Sequence, residues 1–93
     1  MLSIQMIPRT KGDEDYIPYV DRAIEIIQQS GVKYVVNPME TTMEGELSQL
    51  LSIVQQMHEE MIAMGAVSAI SQIKISHRPD GVSMDRLVEK FRP

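Results

Sequence analysis

Cysteine and tryptophan are both missing from this chain, and its 93 residues include only one phenylalanine, three tyrosines and two histidines. Without cysteine there is no disulfide, no thiolate nucleophile and no cysteine-ligated zinc or iron–sulfur site. An aromatic content of 4% argues against the stacking platform on which many small sheet proteins hold single-stranded RNA. An excess of basic charge is also lacking. The formal net charge is -4, and Lys74, His77, Arg78, Arg86, Lys90 and Arg92 are spread out and mixed with acids. A long polyanion is therefore repelled overall, and no nucleic-acid partner is expected. No apolar run approaches the ~20 residues that cross a bilayer, so no membrane partner is expected either. The opening Met1-Leu2-Ser3-Ile4-Gln5-Met6 has neither a basic start nor an unbroken apolar stretch, which argues against a signal peptide and for a cytoplasmic location.

Sequence motifs of common enzymes are absent too: no phosphate-binding loop, no G-x-G-x-x-G, no G-x-S-x-G and no pair of histidines at metal-binding spacing. Catalysis is not expected. Glu44 and Glu46 could act as acid and base on spacing alone, but two glutamates two residues apart are ordinary surface sequence.

What is present is periodicity. Hydrophobic residues make up 43% of the chain and charged residues 24%, a globular composition with room for one domain over residues 1–93. Leu2 to Ile7 alternates, with Leu2, Ile4 and Met6 on one side and Ser3 and Gln5 on the other, and Pro8 is expected to close this strand. A charged loop, Arg9 to Asp15, leads acids toward the first turn of a helix over Tyr16–Gln29. In that helix Val20, Ala23, Ile24 and Ile27 repeat at helical spacing, Tyr16 and Tyr19 flank the start, and Ser30-Gly31 supplies the stop. A second strand is predicted over Val32–Asn37. Pro38-Met39-Glu40 turns the chain into a third over Thr41–Glu46, with Thr41 and Met43 on one face and Thr42, Glu44 and Glu46 on the other.

Leu47–Met64 carries Leu47, Leu50, Leu51, Val54, Met57, His58 and Met61 on one stripe, a strong amphipathic helix that Gly65 ends. His58 sits at the stripe's border, where a satisfied boundary histidine is the simplest reading. A fourth strand follows over Val67–Ser76. His77-Arg78-Pro79-Asp80-Gly81 has turn chemistry, and Ser83 caps a short last helix with Met84, Leu87, Val88 and Phe91 as its apolar stripe.

Strand, helix, strand, strand, helix, strand is the order of an α+β, ferredoxin-like βαββαβ sandwich, here with a short extra C-terminal helix. Both long helices should cover one face of a four-stranded antiparallel sheet. No predicted element covers the other, where Ile7, Val35 and Ile70 need partners, and a homodimer or homotetramer is the expected answer.

The stretch Asn37-Pro38-Met39-Glu40-Thr41-Thr42-Met43-Glu44-Gly45-Glu46 gathers carboxylates, hydroxyls and thioethers. On chemistry alone it is either a polar hairpin or part of a small-molecule pocket. Its Pro38-Met39-x-Thr41-x-x-Glu44-Gly45 run, with Ile4 to Pro8, Tyr19-Val20, Ser30-Gly31, Tyr34 and Gly65-Ala66, resembles the small thiamine-binding (YkoF-like) family over nearly the whole chain. The resemblance implies non-catalytic binding of thiamine or its hydroxymethylpyrimidine moiety, as ligand rather than cofactor, in a carrier, salvage or sensing protein. By hypothesis Glu44 is the carboxylate that bonds the pyrimidine nitrogen, Thr41 the nearby hydroxyl, and Met43 packs on a ring. Ser3, Gln5 and Asn37 are further candidates, because neighbouring strands bring such polar groups together; ordinary sheet polarity is their alternative. Glu40 departs from the family, standing where relatives often have glycine, and the Arg9-Thr10-Lys11-Gly12 loop is more charged than usual. The competing reading is a structural or regulatory oligomer with another ligand or none.

Overall fold

A computed structural model describes residues 1–92, and its elements run β1 (Leu2–Arg9), α1 (Ile17–Gln29), β2 (Lys33–Val36), β3 (Thr41–Glu44), α2 (Leu47–Ala63), β4 (Ser68–Ile75), α3 (Met84–Val88) and a 3-10 turn over Glu89–Phe91. The strands form one antiparallel sheet in the order β2-β3-β1-β4. β3 lies between the two strands that α1 connects, which is the split βαβ arrangement of a ferredoxin-like sandwich.

Alternation along the central strand decides the rest. Leu2 and Ile4 are buried with Met43 and pack against Tyr19, Ala23, Ile26 and Ile27 of α1 and Leu50, Ile53, Met57 and Met61 of α2. Both long helices therefore cover the same face. Met6, Tyr34 and Ala69 complete that face at its margins. The register places Ser3 opposite both Thr42 and Lys74, Val35 opposite Thr42, Lys33 opposite Glu44, and Ile7 opposite Ile70. These residues all point to the other side of the sheet.

Pro8 does not close the first strand, which continues to Arg9. Met1 and Ser76 exchange both backbone bonds, so odd-numbered residues of β1 bond to β4 and even-numbered ones face β3. β3 pairs with β1 only as far as Ile4. The amide hydrogen that Pro8 lacks would point to an edge with no partner, and the ladder loses nothing.

Helix α1 is rotated from the predicted stripe. Tyr19 and Ile26 are inside, while Val20 and Ile24 stand at the sides. Tyr19 does more than flank the helix start: it is 3% exposed, and its hydroxyl donates to Glu14 Oε1 at 2.6 Å, with the Met64 carbonyl 3.3 Å away. The phenol pKa is pushed up, first because its proton is held by Glu14. Acids do not occupy the helix's first turn; Asp15 precedes it and accepts from the Ile17 amide at 3.0 Å. The third strand stops at Glu44, and Glu46 stands at the start of α2, its backbone carbonyl accepting from the Leu50 amide, instead of extending the sheet.

Gly65 closes α2 as its sequence suggests. The Gly65 amide bonds the Ile62 carbonyl and the Ala66 amide bonds the Met61 carbonyl, with Gly65 at a φ of 107°. This is a Schellman closure that a residue with a Cβ would strain. His58, also on α2, is satisfied: its Nε2 lies 2.8 Å from Ser71 Oγ.

Leu50 of α2 is fully buried in the core that the sheet shares with both long helices. Replacing Leu50 by Ala should cost about 2–5 kcal/mol, read as a lower urea midpoint with the slope unchanged.

Candidate functional site

The short C-terminal helix supplies what the sequence left open. It docks on the sheet face opposite α1 and α2. Glu44, which points to that face, accepts the Met84 amide through Oε1 at 2.7 Å. Lys33, its cross-strand neighbour, forms a salt bridge with Asp85. Ser83 caps the helix by accepting from the Arg86 amide at 3.4 Å. Met84 is buried by this docking. The Lys33 ammonium is held above its ordinary pKa by the Asp85 carboxylate.

Between this helix and the sheet lies a cavity of about 820 Å³, within the range of small-molecule sites. Its polar floor comes from Ser3, Asn37, Glu40, Thr42 and Lys74, with Val35 among them; Met84, Leu87 and Val88 make an apolar wall. The floor follows from local structure. Asn37 donates its amide to the Glu40 carbonyl at 2.9 Å, closing the Pro38-Met39 turn and bringing both residues to one end of the open face. Thr42 Oγ1 donates to Ser3 Oγ at 3.5 Å across the β1–β3 pair. The Glu40 carboxyl is held below its ordinary value by the Ser3 hydroxyl first and by Lys74 second, whose Nζ donates to Oε1 at 3.2 Å.

The six residues singled out from the sequence part company here. Ser3 and Asn37 line the cavity. Thr41 and Met43 are buried on the helix side of the same strands, so they underlie the floor. Gln5 shares the open face, pairing with Gln72, but lies outside the cavity lining. Glu44 holds the wall by its bond to Met84, and it borders a smaller neighbouring hollow with Glu46 and His77. Thr42, Val35, Lys74 and the α3 residues were missed. The alternation that selected Ser3 also selects Thr42 and Val35, whereas nothing local marks the docking of α3. The expectation that no element covers the second sheet face is thus corrected at one end: α3 covers the Lys33–Glu44 end and leaves Ile7 and Ile70, 36% and 47% exposed, uncovered.

Fold and cavity together define a small ferredoxin-like α+β protein with a ligand-sized cavity between its sheet and a C-terminal helix. The chain belongs to the thiamine-binding protein family, whose sequence profile matches residues 2–92. A UPF0045 protein of Clostridium perfringens is 44% identical over 91 residues, 98% of this chain and 95% of that one. Among solved structures, a domain of unknown function (DUF77) from Bacillus cereus superposes with a TM-score of 0.92 at 44% identity, covering 98% of this chain and 88% of that one. A Thermotoga maritima protein provisionally named for thiamine biosynthesis or salvage superposes at 0.85 with 29% identity, covering 98% and 96%. Among the described residues no helix is long and apolar enough to cross a membrane.

Two outcomes test this geometry. Glu44→Ala removes the acceptor for the Met84 amide, and hydrogen exchange at Met84 should accelerate at least ~10-fold, as expected for a lost bond to a charged acceptor, while α2 amides stay protected. Because the Glu40 pKa is lowered on folding, its carboxylate stabilises the protein above the ordinary value of 4.5, and that contribution fades as pH falls through the folded-state value. Wild type should therefore exceed Glu40→Gln in urea stability at neutral pH, and the gap should close in acid.

Proposed function

We propose that the cavity beneath α3 binds thiamine or its hydroxymethylpyrimidine moiety without chemical change, as a carrier, salvage or sensing protein. The observation that carries this reading is a cavity with an oxygen-rich floor and an apolar wall in a member of a thiamine-binding family. An aminopyrimidine presents a ring nitrogen and an exocyclic amine. Ser3, Asn37 and Thr42 supply oxygens that accept from the amine and hydroxyl or amide donors for the ring nitrogen. Met84, Leu87, Val88 and Val35 suit the flat faces of the rings. Thr41 and Met43 act from below by fixing the strand, and Glu44 acts by holding α3 in place.

A structural or regulatory homo-oligomer is the second reading. It is favoured by Ile7 and Ile70, adjacent on the part of the sheet that α3 leaves bare. A second copy seated there would bury both.

Isothermal calorimetry with thiamine, then with hydroxymethylpyrimidine, separates the two. The first reading expects micromolar binding, about one ligand per chain. No heat and no thermal shift at millimolar ligand, with a dimer or tetramer in sedimentation, would sink it in favour of the second.

A further inference from the structure

Paired with a highly exposed lysine, Lys74, Glu40 enters the cavity. Its backbone is fixed by the Asn37–Glu40 turn, and its side chain, 34% exposed, lies among the lining residues. Ser3, on the central strand and 9% exposed, lies in the same lining and is bonded to Thr42 at 3.5 Å. Lys74 Nζ donates to the Glu40 carboxylate at 3.2 Å, and its side chain is 77% exposed on the edge strand β4. A lysine ammonium on a solvated, flexible stem at an open edge is weakly held, since exposed ion pairs contribute little. Asp85, also in the lining, has an exposed ion pair as well, with the Lys33 and Asp85 side chains 45% and 70% exposed. That pair sits beside the Glu44–Met84 bond where α3 meets the sheet, whereas Lys74 reaches Glu40 from the edge strand. Glu89 and Arg92, on the far wall, add one charge of each sign.

We propose that Glu40 determines the charge preference of the cavity, with Lys74 as an exchangeable counter-ion that a cationic ligand displaces into solvent. Deepening the reading above, this assigns the positively charged ring of thiamine to the Glu40 end and the neutral aminopyrimidine to the Ser3, Thr42 and Asn37 oxygens. The cost of entry for a cation is low, because the displaced ammonium is already mostly hydrated. An uncharged ligand gains nothing from the exchange. Glu40 is then a specificity-determining residue, and Lys74 competes with the ligand instead of binding it.

The pair makes predictions of opposite sign. Glu40→Gln, Lys74→Met and the double variant would be titrated by calorimetry with thiamine, which carries a permanent positive charge, and with hydroxymethylpyrimidine, which does not. Glu40→Gln should weaken thiamine about 10-fold, as for loss of a charge-assisted contact, and hydroxymethylpyrimidine less than about 3-fold. Lys74→Met should tighten thiamine about 2- to 5-fold by removing the competitor, and the double variant should match Glu40→Gln. Equal effects of Glu40→Gln on both ligands, or thiamine binding unchanged or weakened by Lys74→Met, would overturn the assignment while leaving the cavity reading intact. Failure of wild type to bind either compound would overturn the cavity reading and this assignment with it. Glu40→Gln is expected to be somewhat less stable, so each titration is run well below the variant's thermal midpoint, where a cooperative unfolding transition shows that the protein being titrated is folded.

Discussion

Burial of Leu2 and Ile4 against the two long helices is the contact on which the molecule depends. Side chains alternate along a strand, so fixing these two inside forces Ser3 outward, and the pairing of β1 with β3 and β4 then sets Thr42 and Lys74 beside it. A slip of one residue would bring Ser3 into the apolar core and expose Leu2. The same apolar burial that holds the sandwich together thus assembles the polar floor of the cavity on the reverse side. Core packing and site geometry are two faces of one register.

The reverse side encloses a cavity only because the C-terminal segment returns to it. Met84 inserts, and two polar contacts from neighbouring positions on β2 and β3 hold it there: Lys33 to Asp85 and Glu44 to the Met84 amide. An amide at a helix start has no partner within the helix, so a carboxylate aimed at it is a natural anchor. Five residues cannot form a stable helix alone. The α3 segment is helical because the sheet receives it, and the sheet's second face is partly sheltered because α3 is there.

Much of the fold was legible because its signals are local. The period of two in Leu2–Met6, the helical repeat of Leu50, Met57 and Met61, and the glycine after α2 each act over a few residues. Errors arose where a neighbour in space outweighed the local rule. Pro8 stays in its strand because β3 ends before reaching it. Tyr19 turns inward because Glu14 and the Met64 carbonyl satisfy its hydroxyl. The cavity was half legible: of the residues singled out, Ser3 and Asn37 line it, whereas Thr41 and Met43 are buried on the helix side of the sheet and Glu44 bonds the Met84 amide.

The sequence by itself determined the element order, the helix-facing side of the first strand and the exclusion of cysteine chemistry. Composition and short-range periodicity carry that information directly, because apolar burial selects one face of each element. Only the tertiary structure decided where the cavity lies and which carboxylate enters it. Glu44 and Met84 are 40 residues apart, Lys33 and Asp85 52, and Glu40 and Lys74 34. No pattern within a strand or helix encodes such meetings; they arise when the sheet brings Lys33 and Glu44 side by side and the chain's last helix comes back to them.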